Sequence, residues 1–403
     1  MEKQHSSEAG KQPRRYDNDW LTGLAMLTIF LFHCARFFNY EDWHVKNTQL
    51  DEGMTLFVAF VSQWIMPLFF LLSGISSYYS LRSRTSGRYI NNRFQRLVIP
   101  FIFGTFVVLI PLQVWIERVS HAQFEGSFLQ FYPHYFEGFY AFGGNFAWMG
   151  LHLWYLEMLF IFSLLTLPLF LYLKRENLQP LMSRAATFFE QHGAIFLFGI
   201  PIFIIELLVN LQPEGVGIRA FGGWSLVTYL MVFVIGFFIA FEVGYREAME
   251  RLRFISLALG LITTSLMILF PIDLASFGAF LGYTVNVLAR SFNSWFWLVA
   301  ILGFGSKYLN FNNEVLKYVR EAVLPFYVLH QTVIVTIGFY IANWEMSVML
   351  KYLILGTLSF GVIMVIYELL LKRINLLRFL FGMKVKNEYS LTVAFWSKEK
   401  AHQ

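Results

Sequence analysis

The chain has 403 residues, of which 57% are hydrophobic and only 14% carry a charged side chain. Because soluble domains carry about 25% charged residues, this composition excludes an ordinary soluble protein and favours a helical bundle covered by lipid. The net charge of +5 comes from basic loops on one side of the predicted spans, so it indicates membrane lipids as partners and no nucleic acid.

The hydropathy pattern predicts an all-α, polytopic integral membrane bundle with about ten transmembrane helices, because a span needs about 20 mainly apolar residues. In chain order, the predicted spans are 20–39, 55–79, 97–116, 152–173, 193–211, 224–243, 254–271, 283–304, 322–342 and 347–371. The sequence therefore predicts a membrane domain over residues 1–376 and a cytoplasmic basic tail over 377–403.

Basic residues predict the orientation of this bundle. On one side, the two ends and the loops hold 4, 5, 3, 3, 3 and 7 lysines or arginines in chain order. The opposite segments hold few, with Lys46, Arg118 and Arg219 as the clear cases. Because cytoplasmic loops carry the excess of Lys and Arg, both termini are predicted to be cytoplasmic.

Ionisable residues in the first predicted span indicate a functional site, since such residues are expensive inside lipid. Thr22 and His33 are eleven residues apart, so on a helix they share a face at a separation of about 16 Å. Asp19 lies nearer the cytoplasm. His33 is therefore a candidate general base or proton carrier in the outer half of the membrane. The alternative is a histidine held by an interhelical hydrogen bond.

The second span and the loop after it supply further candidates. Ser73 and Gly74 allow another backbone to approach closely, which favours a ligand contact or plain helix packing. The loop then concentrates five arginines, which are Arg82, Arg84, Arg88, Arg93 and Arg96. Guanidinium groups pair with phosphate, so the loop is a candidate cytoplasmic phosphate site, with Arg93 and Arg96 at i, i+3 on one helical face. Positive-inside topology and anionic lipids are the alternative.

Three more polar residues fall inside predicted spans: His152 and Glu157 in HLWYLE, and His330 in PFYVLHQ. Each is a candidate substrate-binding residue or a hydrogen-bonding residue of the core. No two of them have the i, i+3 or i, i+4 spacing that metal-binding helices often use, so no metal site is predicted.

Five motifs appear in the order shown by one family. DWLTGLAMLTIFLFH, FFLLSG, RFQRLVIP, HLWYLE and PFYVLHQ together resemble the membrane-bound acyltransferase 3 family, over about residues 14–375. PLFFLLSG and LPFYVLHQ are most similar to its glucan-modifying branch, which succinylates periplasmic glucans.

The resemblance implies an O-acyltransferase of the bacterial cytoplasmic membrane. It would move an acetyl or succinyl group from cytoplasmic acyl-CoA, a co-substrate with no further cofactor, to a hydroxyl of an extracytoplasmic glycan. His33 matches the family's likely catalytic base, and Asp19 matches the acidic residue that opens the same helix. Arg93 and Arg96 match the arginine pair expected at the CoA phosphates, and Ser73–Gly74 matches the family's SG.

The sequence departs from the family pattern at Thr22, where the family has an arginine eleven residues before the histidine. A threonine cannot carry that charge. Arg15 or the arginine loop 82–96 would then have to supply it. Two other functions stay open: a transporter or flippase of a glycan or lipid intermediate, and a non-catalytic protein of the same fold.

Overall fold

The computed structural model describes residues 15–191, 193–209, 222–269 and 278–386. Within these ranges the regular elements are helical, apart from an isolated bridge between Phe139 and Phe146. The α-helices are α1 Asp17–Arg36, α2 Glu52–Ser62, α3 Ile65–Ser83, α4 Ser86–Arg93, α5 Ile99–Phe106, α6 Leu109–Ser120, α7 Phe128–Phe131, α8 Trp154–Leu165, α9 Leu167–Leu173, α10 Gln179–Phe189, α11 Gly199–Val209, α12 Leu226–Ile239, α13 Val243–Leu269, α14 Ala279–Tyr308, α15 Glu314–Ile341, α16 Val348–Ile366 and α17 Asn375–Leu380.

Six helical stretches in the described ranges are long and apolar enough to cross a membrane. They are Glu52–Ser83, Ser86–Ser120, Val243–Leu269, Phe280–Tyr308, Glu314–Ile341 and Val348–Leu371. The number rises to eight if each of two bent pairs is counted as one span: Leu151–Leu165 with Leu167–Leu173 at 49°, and Glu176–Phe189 with Ala194–Val209 at 112°. The all-α polytopic bundle is confirmed.

Each of the ten predicted spans contains a helix in the described part of the chain, but the count of ten stays a prediction. Helix α12 has only 14 residues. Helix α1 is not among the six long spans, because acidic residues at its start and His33 and Arg36 at its end lower its hydropathy.

Two of the long helices expose mainly apolar side chains. Only 17% of the apolar window of α13 is buried, and only 28% of that of Val348–Leu371. Exposed residues of α13 include Phe254, Leu261 and Leu269, at 50% or more. Large contiguous apolar surfaces of this kind suit contact with lipid tails rather than water.

The helices group into two compact units. The first comprises Met1–Ile29, Ala59–Ser83 and Thr166–Arg320, and the second comprises Phe30–Val58, Arg84–Leu165 and Glu321–Gln403. Unit boundaries therefore pass through α1, α2 and α15.

Two glycines bring α3 and α12 into close contact in the first unit. A Cβ atom on Gly74 would lie 2.0 Å from the carbonyl oxygen of Phe233, and one on Gly236 would lie 2.1 Å from that of Leu71. Since both obstacles are backbone atoms of packed helices, neither has room to yield. Gly74 thus has a packing role in this structure.

Replacing Gly74 by alanine is expected to destabilise the protein by about 1–3 kcal/mol, because the two helices must separate to admit the methyl group. Gly356→Ala is the matched control, since a Cβ atom there meets nothing within 4 Å and the residue also lies in a span. Thermal unfolding in detergent measures both variants. Equal melting temperatures would contradict the packing role.

In the second unit, the segment after the last long helix packs onto the bundle. Arg378 in α17 is buried and donates to Glu321 at 2.8 Å. Gly382, at φ +67°, lies so close to Pro100 that a Cβ atom would be 3.0 Å from that ring. The predicted boundary between membrane domain and tail, at 376/377, falls inside helix α17. Residues 387–403 of the predicted tail lie outside the described residues.

Candidate functional site

Two histidines from different helices form a hydrogen-bonded pair in the second unit. His33 lies near the end of α1 and His330 in the middle of α15. The Nδ1 atom of His33 is 2.8 Å from the Nε2 atom of His330, and the ring centroids are 4.9 Å apart. His330 is completely buried, whereas His33 is half-buried. The more accessible ring is therefore that of His33.

Backbone geometry sets the direction of these hydrogen bonds. Nδ1 of His330 contacts the carbonyl oxygen of Tyr327, and a carbonyl oxygen can only accept. Neutral His330 therefore carries its hydrogen on Nδ1, and its Nε2 accepts the hydrogen on Nδ1 of His33. The Nε2 atom of His33 keeps a free lone pair, with no hydrogen-bond partner among the described residues. This is the arrangement that a general base requires.

His152 lies beside this pair, with its ring centroid 5.1 Å from that of His330. Its Nε2 donates to the carbonyl oxygen of Val328 at 3.3 Å, and its own carbonyl oxygen accepts from the hydroxyl of Tyr327. Its Nδ1 is buried and has no partner in the ranges that the structure describes. One turn of α15 thus positions both His152 and His330, and the three predicted histidines meet.

Glu157 is not hydrogen-bonded to these histidines. It lies in α8, one turn beyond His152, and its Oε2 atom is buried without a partner among the residues described. Its predicted role in substrate binding stays a prediction.

A carboxylate–histidine pair lies next to the three histidines and was not predicted. Nδ1 of His44 donates to Glu117, while Nε2 of His44 accepts from the amide of Gln331 at 3.1 Å. The hydroxyl of Tyr140 is 2.8 Å from both carboxylate oxygens, and Arg118 is 3.4 Å from one of them. Burial and the neighbouring carboxylate raise the pKa of Tyr140, so it stays a donor. Both nitrogens of His44 are therefore in use, which makes it a positioning residue.

Lys46 caps the carbonyl end of α1 in the same unit. Its Nζ donates to the carbonyl oxygen of Arg36 at 2.7 Å, to Oδ1 of Asn39 at 2.9 Å and to the carbonyl oxygen of Glu41 at 3.0 Å. Burial and the nearby Arg36 cation lower the pKa of Lys46 to about 8, against the opposing effect of Asp42 and Glu41. The side-chain ammonium of Lys46 therefore loses its proton near pH 8.

The lowered pKa of Lys46 predicts a pH effect of defined sign. Because the folded value lies below the ordinary one of about 10.4, the unfolded chain binds the proton more tightly, and stability rises with pH between about 8 and 10.4. Competitive acetylation followed by mass spectrometry should give an apparent pKa near 8, and Arg36→Gln should raise it. An unchanged value in Arg36→Gln would contradict the stated cause.

The end of the arginine loop differs from the predicted α-helix in its hydrogen-bond pattern. Arg88 and Arg96 are exposed, and the guanidinium of Arg93 lies 5.3 Å from the ring centroid of Tyr89. Residues Phe94–Val98 form a π-helical turn, in which the amide of Ile99 bonds to the carbonyl of Phe94. The expected i, i+3 face for Arg93 and Arg96 assumed regular α-helical geometry, whereas Arg96 lies in this π-helical turn, so the shared face stays a prediction. Such turns are frequent at functional sites.

The other predicted residues belong to the first unit. Asp19 forms an ion pair with Arg320 at 3.1 Å, and Gly74 lies in the crossing described above. The carbonyl oxygen of Ser73, the remaining predicted residue, accepts from the hydroxyl of Ser77 at 2.8 Å. The structure gives each of these residues a contact inside its own unit, and their roles in substrate binding or catalysis stay predictions.

Thr22, the residue that departs from the family pattern, also has a hydrogen-bond partner within its own helix. The Thr22 hydroxyl donates to the carbonyl oxygen of Asn18 at 2.7 Å, within its own helix. Arg15, which was expected to supply the missing charge, instead binds Asp17 at 3.0 Å and the hydroxyl of Ser306 at 2.6 Å. Arg15 therefore already has an anionic partner.

No group of three or more His, Cys, Asp or Glu side chains is placed to hold a metal ion in the described ranges. The absence of metal chemistry itself stays a prediction.

Sequence reasoning missed His44 and Glu117 for different reasons. Glu117 lies one residue beyond the predicted third span, which ended at 116, although the helix continues to Ser120. A predicted span that continued to residue 120 would have placed Glu117 inside the membrane, where an ionisable residue indicates a functional site. His44 lies in a loop, where no periodicity marks it.

Comparison with known proteins gives a family and relatives. Residues 15–368 match the family model described as "Acyltransferase domain". "Glucans biosynthesis protein C" of Salmonella schwarzengrund (strain CVM19633) is 25% identical over 394 residues, which cover 93% of this chain and 97% of that protein. The protein of the same name from Salmonella typhimurium (strain LT2) is 24% identical over 399 residues, covering 94% and 98%. No solved structure matches the chain.

Proposed function

The chain belongs to the acyltransferase family, and on that premise we propose that it transfers an acyl group from cytoplasmic acyl-CoA to a hydroxyl of an extracytoplasmic glucan. The relatives named for glucan biosynthesis support the acceptor class. The proposal depends on one chain of hydrogen bonds, in which His33 donates to His330 and His330 donates to the carbonyl oxygen of Tyr327. This chain leaves a lone pair on Nε2 of His33.

In the proposed reaction, Nε2 of His33 takes the proton of the acceptor hydroxyl while that oxygen attacks the thioester carbonyl carbon. The new C–O bond forms, the C–S bond breaks, and the proton passes from His33 to the departing sulfur. The products are the acylated glucan and free CoA thiol. The imidazolium that forms in between is stabilised because His33 donates to His330, and His330 donates to a backbone carbonyl.

The excess of lysine and arginine on one side of the predicted spans supports placing that side, with both termini, in the cytoplasm of a bacterium. Acyl-CoA would then approach the protein from this side of the inner membrane. On this orientation the exposed arginines Arg88 and Arg96, with Arg93, lie where the phosphates of CoA arrive. A solvated guanidinium is well suited to phosphate, because its donors match the spacing of two phosphate oxygens.

Replacing Arg93 and Arg96 together by glutamine is expected to raise the KM for acyl-CoA at least about tenfold with little change in kcat, because charge-assisted hydrogen bonds contribute about 1.5–3 kcal/mol each. The matched control is Arg184→Gln, an exposed arginine of another predicted cytoplasmic loop. An acyl-CoA that lacks the 3′-phosphate should lose less affinity in the double variant. A raised KM for the glucan alone would contradict the donor role.

Mass analysis of cell-envelope glucans, with and without the gene, tests the function in the cell. The proposal expects glucans heavier by one or more acyl units only when the gene is present, and a unit of acetyl or succinyl mass would name the donor. Identical glucan masses under both conditions would contradict it.

A further inference from the structure

An aromatic side chain lies directly beside the candidate base. The ring of Trp43 is nearly parallel to that of His33, at an interplanar angle of 11° and a centroid distance of 6.4 Å. Trp43 is half-buried, and its indole N–H has no hydrogen-bond partner among the described residues. Buried tryptophans usually satisfy this donor, so a half-buried one without a partner presents both a flat apolar face and a polar edge.

The loop that carries Trp43, residues 37–51, is held in place from several directions. His44, the next residue, is bound on both nitrogens by Glu117 and Gln331. Farther along, Oδ1 of Asn47 accepts from the buried ammonium of Lys351 at 2.7 Å. The loop has no regular secondary structure, so these side chains replace the helical hydrogen bonds that would otherwise fix it. The backbone on both sides of Trp43 is therefore held in place.

Rigid presentation of an aromatic ring favours ligand binding, because little side-chain entropy is lost when the ligand arrives. A sugar ring has apolar C–H faces and a polar rim of hydroxyls. A flat indole matches the face, and its free N–H matches the rim. A sugar ring stacked on Trp43 would lie near His33, whose ring centroid is 6.4 Å from that of the indole.

From this juxtaposition we infer that Trp43 is the stacking platform for a neutral sugar ring of the acceptor, and that His44 and Glu117 position it. The inference rests on the proposed function and adds to it the residue that recognises the acceptor. A tryptophan that only anchors the loop at the membrane interface is the competing role, and the experiment separates the two.

The experiment measures binding of a linear β-linked gluco-oligosaccharide to the purified full-length protein, without acyl-CoA. Trp43→Leu keeps an apolar side chain but removes the flat face, and should weaken binding at least about tenfold. Trp43→Phe retains an aromatic face and should weaken it less. Trp344→Leu is the matched control, since Trp344 is an exposed tryptophan, at 46%, outside the proposed platform, and this variant should bind like the unmodified protein.

A second measurement avoids any dependence on variants that fold poorly. In the unmodified protein, the oligosaccharide should protect Trp43 from oxidation by N-bromosuccinimide, read by mass spectrometry, and should leave Trp344 unprotected. Equal oxidation of Trp43 with and without the sugar would overturn the inference, as would sugar binding that Trp43→Leu leaves unchanged.

The same samples, supplied with acyl-CoA, separate this inference from the proposed function. If Trp43→Leu transfers the acyl group with an unchanged KM for the glucan, the stacking role of Trp43 is wrong, and the proposed acyltransferase activity still holds. If the oligosaccharide binds in a way that depends on Trp43 but no acyl group is transferred, the stacking role holds and the proposed acyltransferase activity is wrong. Failure of the unmodified protein to bind the oligosaccharide would overturn the inference directly.

Discussion

Replacement of His33 by alanine is expected to lower the rate of acyl transfer about 10²–10⁴-fold, the range that a positioned general base contributes. The loss follows because the variant has no lone pair where the acceptor hydroxyl must release its proton. Initial rates with radiolabelled acyl-CoA and a glucan acceptor measure it. His134→Ala is the control, since that histidine is exposed and pairs with Glu137 instead, and it should retain full activity.

A companion variant separates chemistry from folding. Asparagine at position 33 keeps an N–H that can donate to His330, but it lacks the Nε2 lone pair. His33→Asn should therefore melt close to the unmodified protein and be as inactive as His33→Ala. Full transfer activity in either variant would show that His33 is not the base.

Replacement of His330 by leucine is expected to lower kcat about 10- to 100-fold with little change in either KM. The leucine leaves Nδ1–H of His33 without its acceptor, which costs about 1–3 kcal/mol and removes the preference for the tautomer with a free Nε2. Steady-state kinetics in both substrates measure it. His330 acts through His33 in this account, so it is a positioning residue.

The glutamine variant tests that role. Glutamine offers a side-chain oxygen that can accept the same hydrogen, so His330→Gln should recover part of the kcat lost in His330→Leu. It should also shift the acidic limb of the pH–rate profile, because the partner of the base has changed. Equal losses in both variants would mean that His330 supports the fold rather than the base.

The sequence predicts the helical segments well, because a span long enough for lipid leaves a strong and continuous apolar signal. Each predicted span contains a described helix, and His33, His152 and His330 stand out singly as polar residues in apolar runs. Their meeting was not predictable, since it depends on how α1 and α15 pack with the turn before α8. Hydropathy carries no information on which helices become neighbours.

Local departures from ideal helices account for most of the other differences. An i, i+3 count for Arg93 and Arg96 assumes regular α-helical geometry, whereas Phe94–Val98 form a π-helical turn. In the sequence, Ser73–Gly74 fits a helix crossing or a ligand contact, and the 2.0 Å distance between the carbonyl oxygen of Phe233 and a Cβ atom on Gly74 gives the packing role. Loop residues such as Trp43 and His44 have no periodic signal at all.

The central claim is tested most directly by purified protein in liposomes, supplied with acyl-CoA outside and a glucan inside, in vesicles whose cytoplasmic face points outward. Mass spectrometry of the recovered glucan is the measurement. We expect glucan heavier by whole acyl units, one equivalent of free CoA thiol for each unit, and at most about a hundredth of either product in the same time with His33→Ala. Glucan that crosses the bilayer at unchanged mass, with acyl-CoA intact, would contradict it and identify a transporter instead.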